Sequence, residues 1–284
     1  MFGINSSSTF PRVAYVKIVP MLILASSSPR RQFLLNFLGI SFQVIPAEVD
    51  ESIQDEENPK DYVLRLAHQK SLSIEPPPSS RSVVIAADTA VVDGNQILGK
   101  PASPQEARNM LQKLRGRSHY VYSGLSVRDT ANDNVQTDLC VTEVQMRAYH
   151  DSEIDNYVAS GDPLDKAGAY AIQNYNFNPV QKITGCYTNV VGLPLCHLME
   201  LLGKMGVKIS EDITRGCRTP HGYNCHLADK IQEFSWVDGQ NYALENINKT
   251  IRDELIDFTY QGTKVESTLF FRWRVNNPSW VPKK

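Results

Sequence analysis

Residues 82–92, Ser-Val-Val-Ile-Ala-Ala-Asp-Thr-Ala-Val-Val, constrain the fold more than any other stretch. An apolar run without polar alternation suits a strand covered on both faces, as the inner strands of α/β sheets are. The flanking sequence alternates strand and helix around it. Residues 21–25 are a short apolar run stopped by Ser26, Ser27, Ser28 and Pro29. Residues 31–38 then repeat apolar side chains at helical spacing until Gly39, a helix-ending residue. Phe42, Val44 and Ile45 predict a second strand, and residues 59–73 a helix with Tyr62, Val63, Leu66 and Ala67 on one face. Three successive prolines within residues 75–80 mark a surface loop. Downstream, residues 104–114 predict an amphipathic helix opened by Pro104 and ended by Gly116. Residues 119–128 and 139–146 predict two paired strands, residues 151–160 a helix capped by Asp151 or Ser152, and residues 193–202 a last apolar helix. The alternation makes the class α/β.

Charge and cysteine content narrow the partners. With 29 Lys and Arg against 31 Asp and Glu, the net charge is -2, so the chain has no global field to hold a nucleic acid. Phosphate binding must come from a local cluster, and the expected partner is a small molecule. Five widely spread cysteines are an odd number and argue for a reducing, cytoplasmic setting over a disulfide framework. No apolar run reaches the length of a membrane span. Residues 1–20 carry Arg12, Lys17 and several serines but no acid, the composition of a transit peptide. Against that, residues 19–25 run straight into the first predicted strand, and Met21 reads as the start of the core domain.

Three segments carry residues suited to chemistry. Ser26, Ser27, Ser28, Pro29, Arg30 and Arg31 lie between a strand and a helix, where backbone N–H groups already favour an anion. Hydroxyls and guanidinium groups there make either a phosphate cradle or a capped helix with solvated arginines. Asp88 and Thr89 are expected at the carboxyl end of the buried strand, where open α/β sheets place ligands. Asp88 there holds a metal, takes a proton from water, or simply caps the next turn. Gly99, Lys100 and Pro101 put a cation in a rigid turn. In residues 162–173, Asp165 and Lys166 sit among small residues that permit close backbone approach, or else form a surface pair worth little.

Taken together, Ser-Ser-Ser-Pro-Arg-Arg at 26–31, Ala-Asp-Thr at 87–89, Gly-Lys-Pro at 99–101, Asp-Lys-Ala-Gly-Ala-Tyr-Ala-Ile-Gln at 165–173 and Val-Val-Gly-Leu-Pro-Leu at 190–195 resemble the Maf family of nucleotide pyrophosphatases. The resemblance runs from about residue 21 to 207. It implies a mixed twisted sheet flanked by helices, with two lobes around a nucleotide cleft, related to inosine triphosphatases. It also implies hydrolysis of a nucleoside triphosphate to monophosphate and pyrophosphate, and a homodimer as the expected assembly. By position, Asp88 matches the proton acceptor, with Lys100 beside it. Arg30, Thr89 and Gln173 match positions tied to substrate choice, and Ser28, Arg31, Glu51, Lys70, Asp165 and Lys166 match other pocket positions. Glu51 and Asp88 are the candidates for a divalent cation, Mg²⁺ or Mn²⁺, a hard ion that needs few carboxylates when phosphates supply the remaining ligands.

The run ending in Gln173 resembles the branch acting on dTTP and UTP, and a Gln amide matches the carbonyl and N–H edge of thymine or uracil. The sequence departs from the family at Asn174, Tyr175, Asn176, Phe177, Asn178 and Pro179, where a glycine-rich loop is usual. Asn tolerates positive φ, so the backbone path is expected to hold, while Tyr175 and Phe177 are expected to narrow the base pocket or alter a subunit contact. That departure keeps open a second reading, a nucleotide-binding regulator of cell division with weak turnover.

The expected organisation is an N-terminal extension at 1–20, a pyrophosphatase domain at 21–207 and a C-terminal extension at 208–284. Within the last segment, Cys217, His221, Cys225 and His226 are of ligand type but lack the Cys-x-x-Cys spacing of a zinc site. Residues 241–258 space Leu244, Ile247, Ile251, Leu255 and Phe258 as an amphipathic helix.

Overall fold

The computed structural model describes residues 20–77, 81–174 and 176–209. The expectations for residues 1–19, for Tyr175 and for the C-terminal cysteines, histidines and helix lie outside them. The chain divides into two compact units, the first of residues 1–172 and 177–229, the second of residues 173–176 and 230–284. The first contains every strand and helix described below.

Among the described residues, seven strands form one mixed sheet. In chain order the elements are β1 (Met21–Leu24), α1 (Pro29–Asn36), β2 (Phe42–Val44), α2 (Pro59–Leu72), β3 (Ser82–Asp93), β4 (Gln96–Leu98), α3 (Pro104–Leu114), β5 (Ser118–Asp129), β6 (Asn134–Met146), α4 (Asp151–Ala159), β7 (Val180–Thr184), α5 (Tyr187–Val191) and α6 (Leu195–Lys204). Two short 3-10 turns, Asp162–Asp165 and Ala167–Ala169, follow α4. The strand order is β2-β1-β3-β5-β6-β7, with β4 paired to β3.

The sheet changes character along β3. Its first half pairs with β1 in parallel, Leu24 opposite Ile85 being the last pair, while the whole strand pairs antiparallel with β5. Asp88 therefore sits in the middle of β3 and not at its carboxyl end, contrary to the sequence expectation. It does lie just beyond the end of the parallel half. The strand runs on because β4 and β5 supply hydrogen-bonding partners past that point.

The side-chain period of two puts Val84, Ala86, Asp88, Ala90 and Val92 on one face of β3 and Ile85, Ala87, Thr89 and Val91 on the other. The first face meets α2. Val63 packs in one cluster with Ala90 and Val92, and the Ser71 and Ser126 hydroxyls meet at 2.8 Å. Gly124, opposite Asp88 on β5, allows this approach, since a Cβ there would stand 2.2 Å from the Val63 carbonyl oxygen. A second, larger core joins Val91 to Leu111, Leu114, Tyr149, Ile154 and Phe177 beneath α3 and α4. The apolar interior is thus split between the two faces of β3.

Local chemistry sets the boundaries. Ser28, Asn58 and Ser103 each cap a helix by accepting from its first turn, and each precedes a proline whose missing N–H costs nothing there. α4 is capped by His150, one residue before the expected cap, with Glu153 accepting the His150 N–H at 2.7 Å. Pro194 delays the last helix to Leu195. The short strands β4 and β7 and the five-residue α5 were not anticipated.

The altered loop resolves differently from expectation at Phe177. Its ring is 4% exposed, stacked on Tyr157 at 4.4 Å and tilted on Tyr149 at 4.8 Å, so its bulk fills the core beneath α4. Asn178 takes the positive φ, 42°, that the asparagine-rich sequence permits.

Candidate functional site

Lys70 is the centre of the site. It stands in the last turn of α2, 7% exposed, with its Nζ 2.7 Å from Asp88 Oδ1 and 2.6 Å from Glu51 Oε1. A buried ammonium is tolerated only when paired, and here two carboxylates from separate elements share it. Burial raises the Glu51 carboxyl, but the hydrogen bond and charge of Lys70, with the charges of Lys100 and Arg31, outweigh it and leave the net shift downward. Lys100 is exposed on the turn after β4 and reaches Glu51 through its field. The Gly99 carbonyl accepts the Gly168 N–H at 3.1 Å, which ties that turn to the loop carrying Lys166.

Arg31 lies across the sheet from Lys70. Its Nε donates to the Gly192 carbonyl at 2.9 Å, Nη1 to Ser26 Oγ at 3.3 Å and Nη2 to Thr89 Oγ1 at 3.2 Å. Burial lowers its pKa, opposed by the charges of Asp88 and Glu51 and assisted by that of Arg30. Thr89 also meets Ser123 Oγ at 2.7 Å. Arg31 is thus a framework cation, fixed by neutral oxygens on three segments and facing the carboxylates only through space. Ser28 realises the capping alternative, its hydroxyl accepting the Arg31 backbone N–H at 3.5 Å.

The second group lies on the 3-10 turns. Lys166 donates to Asp165 Oδ1 at 2.6 Å and to Asp162 Oδ1 at 2.9 Å, and Arg30 stands 3.5 Å from Asp165 Oδ2. Of this pair Lys166 is buried while Asp165 remains exposed. Burial raises the Asp165 carboxyl, but the hydrogen bond and charge of Lys166 and the charge of Arg30 bring it down overall. Gly168, at φ 68°, is required here, because a Cβ would stand 2.8 Å from Val91 Cγ1 on β3. Gln173 belongs to the second compact unit.

Several neighbours escaped the sequence reading. The Tyr62 hydroxyl donates to the Glu51 carbonyl at 3.0 Å, and burial together with the charges of Asp88 and Glu51 pushes its pKa up to about 12. Its spacing of eight from Lys70 on one helix was the available signal. Ser123 had none, since strand register places it, and Asp162 lay in the charged stretch without being assigned a role.

For a divalent cation, the fit is partial but real. Among the described residues no three His, Cys, Asp or Glu side chains converge as a metal-holding group. Glu51 and Asp88, however, already converge on one cationic centre, the Lys70 ammonium. Two carboxylates match a hard ion whose other ligands are phosphate oxygens and water.

Fold and site together define a mixed-sheet α/β protein with carboxylates and cations interleaved where its parallel half ends. The chain belongs to the family described as Maf-like protein, whose model matches residues 21–205. It is 47% identical over 191 residues to a dTTP/UTP pyrophosphatase of Anaeromyxobacter dehalogenans, covering 66% of this chain and 96% of that protein. A dTTP/UTP pyrophosphatase of Dehalococcoides mccartyi is 45% identical over 188 residues, covering 66% and 84%, and one of Geotalea uraniireducens 46% over 185 residues, covering 65% and 95%. Among solved structures, a HAM1 protein from Coxiella burnetii aligns at 14% identity over 46% of this chain and 74% of its own, with a TM-score of 0.34. No helix among the described residues is long and apolar enough to cross a membrane.

Proposed function

We propose that the chain hydrolyses dTTP, UTP and modified pyrimidine triphosphates to the monophosphate and pyrophosphate. The observation that carries this reading is the Asp88–Lys70–Glu51 cluster, in which a buried carboxylate and an exposed one share one buried ammonium. Asp88 is the base that takes the proton from water as it attacks the α-phosphorus. Lys70 orients Asp88 and, with Lys100 and Arg30, offsets charge growing on the leaving pyrophosphate. Glu51 and Asp88 are the residues that would hold Mg²⁺ or Mn²⁺, which when bound supplies Lewis-acid polarisation of the phosphoryl oxygens. Arg31 and Thr89 fix the loop and strand that frame the phosphates, and Asp165 and Lys166 hold Arg30 in position. Gln173 is assigned the thymine or uracil edge on the family resemblance, as is the homodimer. Residues 21–207 are the catalytic domain in this reading.

The alternative of a weak-turnover regulator rested on the bulk of the altered loop. The burial of Phe177 within the core removes much of its support.

The test is pyrophosphate release from a panel of nucleoside triphosphates, with and without Mg²⁺, by the native chain and by Asp88→Asn. Loss of a general base predicts a fall in turnover of at least about 100-fold, with nucleotide binding retained. Undiminished turnover in Asp88→Asn would overturn the mechanism.

A further inference from the structure

The β6–β7 side of the sheet carries sulfur chemistry that the site above does not use. Cys140 is buried on β6 and Cys186 half-buried just after β7, both as free thiols. Gly185 brings them together. Its φ is 132°, and a Cβ there would stand 2.9 Å from Thr142 Oγ1, so only glycine lets the chain leaving β7 fold in against β6. The Cys186 N–H then donates to Thr142 Oγ1 at 3.0 Å, and the Thr142 hydroxyl donates to the Cys186 carbonyl at 3.2 Å. Thr142 and Cys140 are two residues apart on β6 and share a face. The Asn189 amide spans them, donating to Thr142 Oγ1 at 2.9 Å and to the Cys140 carbonyl at 3.5 Å. The two thiols are near enough for each to shift the ionisation of the other.

The surroundings make the two sulfurs unequal. The Cys140 contact draws the Cys186 thiol down against the effect of burial, helped by Thr188, whose Oγ1 lies 3.2 Å from Sγ, and by the charge of His197. His197 is itself held by Asp138 at 2.8 Å. Cys140 is pushed up by the same thiol contact, by burial and by the charges of Cys186, Asp138 and Cys196. Access to solvent differs in the same sense, since Cys186 is half-buried and Cys140 buried, which makes Cys186 the sulfur a small oxidant meets first.

We propose that Cys186 and Cys140 form a peroxide-reactive dithiol, with Cys186 as the attacking and Cys140 as the resolving sulfur. The Cys186 thiolate attacks the O–O bond of a hydroperoxide, forming a sulfenic acid and releasing the alkoxide or hydroxide, which takes a proton from water. The Cys140 sulfur then attacks Cys186, its proton leaving with the sulfenic hydroxyl as water. Two electrons pass from the thiols to the peroxide, and an external dithiol reverses the change. Cys186 and Gly192 are the two cap residues of α5, and the Gly192 carbonyl anchors Arg31, so the modification falls at the start of an element that frames the candidate site. The proposal is independent of the pyrophosphatase reading, because it is read on sulfur alone.

The test treats the full chain at neutral pH with hydrogen peroxide, blocks remaining thiols, and maps the sulfurs by peptide mass spectrometry. The expected product joins the Cys140 and Cys186 peptides, two hydrogens lighter than the pair of free thiols, and is lost on adding dithiothreitol. In Cys140→Ser, or in Cys140→Ala should serine disturb the strand, Cys186 is expected to stop at the sulfenic or sulfinic acid. In Cys186→Ser, Cys140 is expected to remain a thiol. An inert Cys186 in the native chain, a sulfinic acid beside a free Cys140, or a link from Cys186 to Cys217 or Cys225 would each overturn the proposal.

Discussion

At the scale of single residues, Lys70 has two tasks. It compensates two carboxylates that would otherwise repel each other, and it sets the direction in which Asp88 presents its oxygens. Lys70→Met keeps length and apolar stem while removing the charge. Breaking one partner out of a buried ionic group costs about 3 kcal/mol, so the variant is expected to melt earlier and to lose pyrophosphate release. Denaturant titration reads the first effect and turnover the second. A variant with native stability and native turnover would remove Lys70 from the centre of the site. Because Glu51 is held below its ordinary range, its pairing contributes stability above that range and loses it as the pH falls through the lowered value.

At the scale of elements, the contact of α2 with the sheet decides where Lys70 arrives. Gly124→Ala would press a methyl group into the Val63 carbonyl, forcing α2 outward. Overpacking of this kind costs about 2 kcal/mol, and the displaced helix carries Lys70 away from Asp88. The expected result is a fall in kcat larger than the loss of folded protein explains, and unchanged kcat would show that α2 does not transmit the shift. A second element-scale expectation concerns β5. His119 is buried, its Nε2 2.8 Å from the Tyr170 hydroxyl, and burial lowers its pKa from 6.5 to about 4. Within that window the unfolded chain binds the proton and the folded chain does not, so stability falls as pH falls from 6.5 towards 4. The contribution is about 3 kcal/mol at its fullest. His119→Gln is expected to flatten the pH dependence of thermal stability in that window, and an unaltered slope would refute the assignment.

At the scale of the whole molecule, a chain ending at residue 207 is expected to retain pyrophosphate release, since every strand and helix described lies between Met21 and Lys204. Comparison of its turnover and base preference with those of the full chain checks this. Loss of activity on truncation would give residues 208–284 a part in catalysis. Altered preference alone would give them a part in base selection.

The sequence by itself determined the elements whose signals are local. The apolar run of β3, the Ser28, Asn58 and Ser103 caps, Pro104 and the glycine stops are written within a few residues of where they act. It also displayed the motif residues Arg30, Arg31, Asp88, Thr89, Lys100, Asp165 and Lys166 as a set. Only the tertiary structure decided their partners. That Lys70 bridges Glu51 and Asp88, that Arg31 spends its donors on Ser26, Thr89 and Gly192, and that Phe177 turns inward all depend on contacts between segments far apart in the chain. The physical reason is register. The extension of β3 past β1, and its pairing with β5, place Gly124 beside Asp88, and no local pattern in either strand specifies that pairing.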